Sequence, residues 1–208
     1  MWNEIWQIFL RDGISLIMEH LQLVAIAVSA AVLIAIPSGI LLSRDFMKKH
    51  LAKIMAIFNI AQGLPSLAII AIFIPFLGIG FVPAVTALTI YALLPIVRNT
   101  LAGINSVEDD IIEAARGMGM SKMQVLYKIE LPLALPYITA GIQTASVITV
   151  GTAVISNLIG AGGLGELIFT GLTRFDTKKI VLGSVLSALI AVTIDNLFQL
   201  LERKLEEY

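Results

Sequence analysis

Three long stretches of this chain contain no Asp, Glu, Lys, Arg or His, and they cover residues 21–43, 54–97 and 131–165. A helix needs about 20 apolar residues to cross a bilayer core, whereas apolar runs in buried helices of soluble proteins are shorter. Because only 14% of the 208 residues are charged and 58% are hydrophobic, a water-soluble domain would lack its polar surface. We therefore expect an all-α integral membrane protein, with one transmembrane domain over residues 1–208.

The charge-free stretches predict five membrane spans. The first stretch holds one span, and the second is long enough for two, separated where prolines and glycines cluster around residues 75–83. The third holds one span and a glycine-rich tail, and a fifth span follows that is interrupted only by Asp195. The predicted spans cover residues 21–43, 54–76, 80–97, 133–158 and 180–201.

Lys and Arg are distributed unevenly over the connections between these spans. If the N-terminus lies outside, ten of the 14 Lys and Arg residues fall on the cytoplasmic side and four on the outer side. Cytoplasmic connections are usually the ones enriched in Lys and Arg. The distribution therefore predicts an external N-terminus, an internal C-terminus and a cytoplasmic loop over residues 98–132.

Two short capped helices are predicted within this loop. Ser106 and Asp109 have the spacing of a capping box that begins the first helix, and either Gly117 or Gly119 is suited to the left-handed conformation that ends it. Ser121 and Gln124 form a second capping box. Such an element is expected either to dock a soluble partner or to serve as an ordinary connector, and the caps alone leave both interpretations open.

A spaced motif runs through the same loop and ends at a proline that we expect to prevent simple continuation of a helix into the next span. Its members are Glu113, Ala114, Ala115, Gly119, Ile129, Leu131 and Pro132. The motif resembles the EAA signature of ABC-importer permeases, in which EAA is followed by three residues, a glycine, nine residues and I-x-LP. The resemblance implies that the helix around Glu113 docks in a cleft of a cytoplasmic ATPase and that Gly119 permits the turn that presents it.

Four further segments resemble the permeases of osmoprotectant importers, which take up glycine betaine, carnitine and choline. They are Gly63-Leu64-Pro65-Ser66, residues 76–80, residues 91–95 and residues 159–165. This resemblance implies the five-span, methionine-importer-like fold of type I permeases. It implies an ATP-driven importer of osmoprotectants, and the alternative cargo is another small solute such as ergothioneine or an amino acid.

The resemblance also implies partners and a location. The chain lacks a G-x-x-x-x-G-K-[ST] phosphate-binding loop, so we expect no cofactor on this chain, no enzymatic activity of its own, and ATP and Mg²⁺ on a partner. The expected partners are a cytoplasmic ABC ATPase dimer, a second permease copy or close paralogue, an extracytoplasmic substrate-binding protein and the lipid bilayer. The expected location is the bacterial cytoplasmic (inner) membrane, and a net charge of −1 argues against a nucleic-acid partner.

Polar side chains within the predicted spans are candidates for a substrate path. They are Asn59, Gln62, Thr86, Tyr91, Gln143, Ser146 and Asn157. In the fourth span, Gln143, Ser146 and Asn157 share one helical face with small residues. That face either lines the path or packs against another helix.

Four other features have simpler interpretations. Asp195 is expected to make a structural hydrogen bond with Asn196 nearby, although an acid within a span is a functional candidate by default. His20 and His50 are expected at the surface or the membrane interface, and neither has partners at metal-ligand spacing. The G-x-G-x-x-G segment at residues 160–165 follows a span instead of a strand, so we expect it to shape an outer turn or a re-entrant segment.

Overall fold

The computed structural model describes residues 2–206, and the side chains of residues 3–203. All regular structure in these residues is helical. The α-helices are α1 (Trp2–Ile8), α2 (Ile14–Leu42), α3 (Lys48–Gly63), α4 (Ser66–Leu77), α5 (Phe81–Asn105), α6 (Asp109–Gly117), α7 (Lys122–Val125), α8 (Leu131–Ala153), α9 (Gly165–Thr173) and α10 (Thr177–Glu206). Two π-helical turns, Phe9–Gly13 and Leu126–Glu130, join α1 to α2 and α7 to α8.

Four continuous helical segments are long and apolar enough to cross a membrane. These are Asn3–Leu42, Phe81–Asn105, Lys122–Ala153 and Thr177–Arg203. A fifth candidate is the pair Asp45–Gly63 and Ser66–Leu77, whose two halves are bent by 97°. The predicted number of five spans therefore depends on this bent pair crossing as one unit, and it stays a prediction.

The bend between α3 and α4 was not predicted, and proline explains it. Pro65 has no N–H to donate and disfavours helical backbone angles at the residue before it. Leu64 is accordingly extended, with φ −70° and ψ 141°. The second break lies where the sequence predicts it: α4 ends at Leu77, and Gly78 and Gly80 have φ angles of 76° and 105°, which favour glycine.

Several helices extend beyond the predicted spans. The first helical segment begins near the N-terminus instead of at residue 21, because α1, the π-turn and α2 follow one another without an interruption. The third predicted span, residues 80–97, corresponds to the first part of α5. This helix continues to Asn105, so residues 98–105 of the predicted loop are also helical. The non-helical connections in the predicted loop are consequently confined to residues 106–108 and 118–121.

The expectation that Pro132 interrupts the helix is wrong. Residues 122–153 form one continuous helical segment in which Pro132 lies in the first turn of α8. A proline in a regular α-helix removes one hydrogen bond and clashes with the carbonyl four residues earlier. The π-turn Leu126–Glu130 ends two residues before Pro132 and contains Lys128, the residue four positions earlier, so wider i→i+5 bonding replaces the regular pattern where the clash would occur.

Small residues at every fourth position form the contact surface of α2. Ala27, Ala31, Ala35 and Gly39 are all buried, and the residues of this face pack against α5. A β-carbon added to Gly39 would lie 2.6 Å from Cβ of Thr100 on α5. In a membrane, helices associate through such close packing because lipid is as apolar as the side chains. The small-residue stripe therefore sets the approach of α2 to α5.

We predict that Gly39→Ala destabilises the protein, although alanine favours helices. Overpacking a tight contact costs about 1–3 kcal/mol, which exceeds the gain of about 1 kcal/mol from replacing a helical glycine. Gly151→Ala is the matched control, since a β-carbon on this α8 residue meets nothing within 4 Å. Unfolding of both variants in mixed micelles tests this, and equal stabilities would contradict the proposed close contact.

Candidate functional site

The first loop helix begins later than the capping pattern predicts. Glu108 is the N-cap residue of α6, with no side-chain cap, and Asp109 and Asp110 occupy the first turn. The Ser106 hydroxyl instead donates to the Gly103 carbonyl, at 2.8 Å, and so caps the C-terminal end of α5. The predicted capping box of Ser106 and Asp109 is therefore wrong. Acidic residues in the first turn still favour the helix through its dipole.

Gly119 has the left-handed conformation expected for the end of α6, with φ 84°. The Gly119 N–H donates to the Arg116 carbonyl at 2.9 Å, and the Met120 N–H donates to the Ala115 carbonyl at 3.2 Å. These two bonds define a Schellman motif, the common glycine-dependent helix ending. A β-carbon on Gly119 would meet nothing within 4 Å, so the backbone angle alone requires glycine.

The second loop helix has the predicted capping box. The Gln124 N–H donates to Oγ of Ser121 at 3.3 Å, and the Ser121 N–H donates to Oε1 of Gln124 at 2.8 Å. The loop therefore consists of two helices joined by a glycine turn. α6 contacts α7, and both bury a residue, Ala115 in one and Val125 in the other.

The residues of the EAA-like motif divide by exposure. Glu113, Ala114, Gly119 and Pro132 are exposed, whereas Ala115 is buried and Ile129 and Leu131 are half-buried. Large apolar side chains stand exposed on the same loop: Met118, Met123 and Tyr127. Exposed apolar groups rimmed by charged residues are typical of an interaction surface. This combination favours the docking interpretation of the loop.

An ion pair that the sequence did not predict joins the end of this loop to the end of α2. Nη1 and Nη2 of Arg44 donate to Oε1 and Oε2 of Glu130 at 2.9 and 2.5 Å. The Glu130 side chain is only 5% exposed and that of Arg44 is 32% exposed. The hydrogen-bonded Glu130 carboxylate raises the pKa of the Arg44 guanidinium above its usual value, so Arg44 remains cationic.

The seven candidate path residues do not form one polar track. In the part of the chain that the structure describes, no hydrogen bond joins any two of them. Asn59 accepts a hydrogen bond from Nη2 of Arg98, and the hydroxyls of Thr86 and Ser146 donate to carbonyls of their own helices. Gln62 is half-buried on α3, and Asn157 is half-buried in the 3₁₀ turn Ile155–Ile159 that follows α8.

Tyr91 has a structural partner at the bend between α3 and α4. Its hydroxyl donates to the Leu64 carbonyl, which lies directly before Pro65. The Leu64 N–H donates to the Ile60 carbonyl of α3. The Leu64 carbonyl has no such partner in the helix, because α3 ends at Gly63. A free carbonyl inside a membrane is costly, so Tyr91 stabilises the bend.

Asp195 makes the expected structural hydrogen bonds, but Asn196 is not among its partners. Nε2 of Gln143 donates to Oδ1 of Asp195 at 2.7 Å, and Nε2 of Gln199 donates to Oδ2 at 2.9 Å. Gln143 lies on α8 and Asp195 on α10, so the pair connects the two helices. The same two residues line a cleft of about 390 Å³ between these helices, together with Glu202.

The polar face of α8 is mostly covered by the chain itself. Ser146, Val150 and Ala153 are buried, and Gln143 is half-buried. α8 packs most extensively against α5 and also against α2 and α10. Within this chain, the face therefore serves mainly as a helix–helix contact.

His20 is buried, which contradicts the expectation of a surface or interfacial residue. Its Nε2 donates to the Val150 carbonyl at 3.1 Å, near the C-terminal end of α8, and its Nδ1 has no hydrogen-bond partner. The adjacent Glu19 accepts the Gly163 N–H at 2.9 Å, so the glycine-rich turn at residues 160–165 packs over this part of α2. His50 is exposed, and within residues 2–206 no group of three His, Asp or Glu residues is arranged to hold a metal.

The chain matches a protein family over residues 35–207, and that family is described as the inner membrane component of binding-protein-dependent transport systems. Three curated bacterial relatives cover 89–91% of this chain, and it covers 80–85% of theirs. A choline transport system permease protein of Bacillus subtilis is 46% identical. A glycine betaine/carnitine/choline permease of the same organism is 43% identical. An osmoprotectant import permease of Salmonella typhimurium is 46% identical.

A solved structure has the same fold. It is an inward-facing form of the MetNI methionine ABC transporter, with a TM-score of 0.82 and 26% identity, and the match covers 90% of this chain and 93% of that one. A second crystal form gives a TM-score of 0.84 at 24% identity. The predicted methionine-importer-like permease fold is therefore confirmed.

We predict that Tyr91→Phe loosens the bend at residues 63–66. The Leu64 carbonyl loses its partner, which costs about 1–2 kcal/mol when the group is shielded from water. Tyr127→Phe is the control, because the Tyr127 side chain is 61% exposed. Hydrogen exchange of the amides of Leu64 and residues 66–69 should accelerate in the first variant alone, and unchanged exchange would show that the hydroxyl does not stabilise the bend.

Proposed function

The chain belongs to the family of inner membrane components of binding-protein-dependent transport systems, and from this we propose that it is the membrane subunit of an ATP-driven importer of osmoprotectants. The proposed cargo is glycine betaine, carnitine or choline. The observation that carries this proposal is the identity of 43–46% to permeases named for these solutes, over about nine-tenths of the chain.

ATP hydrolysis belongs to a partner in this proposal. The exposed residues of α6 and the turn after it, including Glu113, Ala114 and Met118, form the surface that docks into a cytoplasmic ATPase dimer. The Schellman turn at Gly119 sets the angle between α6 and α7, and the two helices contact each other and bury Ala115 and Val125. Motion of the ATPase therefore reaches the spans through a short, well-ordered element. The spans in this account have an external N-terminus and an internal C-terminus.

A second permease copy, or a close paralogue, completes the path. Asn59 and Arg98 are both exposed in the single chain and hydrogen-bonded to each other. Polar and charged groups at membrane depth face other protein surfaces or water, because lipid offers them no partners. The bent α3–α4 pair also leaves Ile57, Ile60 and Phe76 exposed. This face is suited to a neighbouring subunit with a polar path between the two.

An extracytoplasmic binding protein supplies primary selectivity. Quaternary ammonium groups are commonly held by aromatic cages through cation–π contacts. Aromatic residues make up 7% of this chain, and within residues 3–203 the one pair of stacked rings is Trp6 and Phe9, near the N-terminus. The permease therefore offers a weakly attractive polar path instead of a cage.

Uptake of labelled glycine betaine, carnitine and choline at high osmolarity tests the cargo. The assay compares cells that lack this permease with cells that carry it again, and other importers of these solutes are deleted in both. We expect the permease to restore uptake of at least one of the three. If none is restored while the ATPase still co-purifies, the osmoprotectant proposal is wrong, and labelled ergothioneine and amino acids are tested next.

We further predict that Gly119→Val separates ATP hydrolysis from transport. A β-branched residue with φ near 84° is strongly disfavoured, so the Schellman turn must change and α6 is misplaced. Gly117→Val is the control, since Gly117 is the last helical residue of α6 and a β-carbon there meets nothing within 4 Å. Hydrolysis and uptake are measured on purified complexes in liposomes. Normal uptake by Gly119→Val would contradict the role of this turn.

A further inference from the structure

The ion pair between Arg44 and Glu130 connects two cytoplasmic segments that are 86 residues apart in sequence. Arg44 lies two residues after the end of α2, and Glu130 is the last residue of the π-turn between the loop helices and α8. Both oxygens of the carboxylate bind the guanidinium, so the contact fixes orientation as well as distance. It is the direct polar link between the EAA-like loop and the first long helix among the contacts that the described residues make.

The π-turn sets the rotation of the loop helices relative to Glu130 and α8. A π-turn contains one more residue than an α-helical turn, and this extra residue rotates everything before it by about 100° relative to a regular helix. If residues 126–130 were a regular α-helix, α6 and α7 would therefore lie on a different side of α8. Isolated π-turns of this kind are frequent at functional sites. The turn thus connects the register of the loop helices with the position of the carboxylate.

Apolar contacts on the same side reinforce this link. Leu126 and Leu131, which flank Glu130, pack against a buried cluster made of Ile104, Ala134 and Ile138. Ile36 and Ile40 of α2 pack against the same cluster. The end of the loop and the end of α2 therefore share one small core, with the ion pair at its cytoplasmic edge.

Stability alone does not account for such a pair. Removing two charges from water is unfavourable, and replacing a buried ion pair by apolar residues is often neutral or stabilising. The neighbouring pair of Asp45 and Lys48 is different, because both side chains are largely exposed and only three residues apart. Lys48 and, to a smaller extent, Arg116 of α6 hold the pKa of Asp45 below its usual range, so α6 lies within electrostatic reach of this segment.

We propose that the Arg44–Glu130 pair is the mechanical link by which movement of the loop helices is passed to α2. Arg44 and Glu130 are positioning residues, since neither touches the ATPase or the cargo in this account. α6, α7, the π-turn and the cytoplasmic end of α2 then move as one unit when the ATPase closes. This proposal rests on the proposed ATPase docking of α6, but it does not depend on which solute is carried.

The test uses the complete complex, with its ATPase and binding protein, in liposomes. The variants are Glu130→Gln, Arg44→Gln and the apolar double variant Arg44→Met/Glu130→Leu, and Lys48→Gln is the control. Cargo taken up per ATP hydrolysed is the first measurement, with labelled glycine betaine as the probe. Each single variant should lower this ratio by about three- to thirtyfold, the range expected for residues on a coupling route, whereas Lys48→Gln should leave it unchanged.

A distance measurement provides a readout that does not need the cargo. The chain has no cysteines, so spin labels can be placed on Lys122→Cys in α7 and Leu41→Cys near the end of α2, both of which are exposed. With the ion pair intact, the label distance should keep one narrow distribution with and without nucleotide. In Glu130→Gln it should broaden or shift on nucleotide binding.

The double variant separates a mechanical role from a purely structural one. It removes both charges, so no unpaired charge is left buried, and its thermal stability should equal or exceed that of the original complex. We expect its uptake per ATP to stay low all the same. Normal coupling in the stable double variant would overturn the proposal, and so would an unchanged label distance in Glu130→Gln. If the original complex hydrolyses ATP but takes up none of glycine betaine, carnitine and choline, the cargo proposal fails, and the label distances still decide the role of the pair.

Discussion

The core of a bilayer offers no hydrogen-bond partner to a peptide group, and the arrangement of this chain follows from that constraint. Long helices satisfy their own backbone, so polar side chains are needed mainly where a helix ends or bends. Tyr91 binds the Leu64 carbonyl at the bend between α3 and α4, and His20 binds the Val150 carbonyl near the end of α8. Both side chains therefore complete the hydrogen bonding of the backbone where a helix bends or approaches its end.

Features that depend on neighbours in sequence were predictable. The charge-free runs indicated the membrane-spanning class, and the conformation of Gly119 and the capping box of Ser121 followed from local backbone chemistry. The small-residue stripe of α2 was missed, although its period of four was readable from the sequence. By contrast, Arg44–Glu130 and Gln143–Asp195 join residues 86 and 52 positions apart. Each of these four residues has several other charged or polar residues as possible partners, so spacing in the sequence does not identify the pairs.

The two wrong loop predictions have one cause, which is competition between equally plausible local structures. Ser106 is able to cap the helix that follows it or to bond back to the helix that precedes it, and α5 is long enough to make the second option available. A proline at position 132 would clash with a regular α-helix before it, but the π-turn Leu126–Glu130 avoids this clash. In both cases the choice depends on tertiary packing: α5 continues because it lies between α2 and α8, and Leu131 is held by the cluster around Ala134.

In the proposed coupling, contact with a partner is separated from transmission within the chain. Residues such as Glu113 and Met118 are exposed, so they exchange water for a partner at little cost to the fold. Glu130 is nearly inaccessible and bound through both oxygens, so its contact breaks only with an unpaired charge left inside the protein. An exposed surface that associates and dissociates, backed by a buried contact that does not, is what allows force from outside to move a whole helix. The EAA-like motif alone did not reveal this contact. Arg44, which binds Glu130, lies after the first long helix and outside the motif.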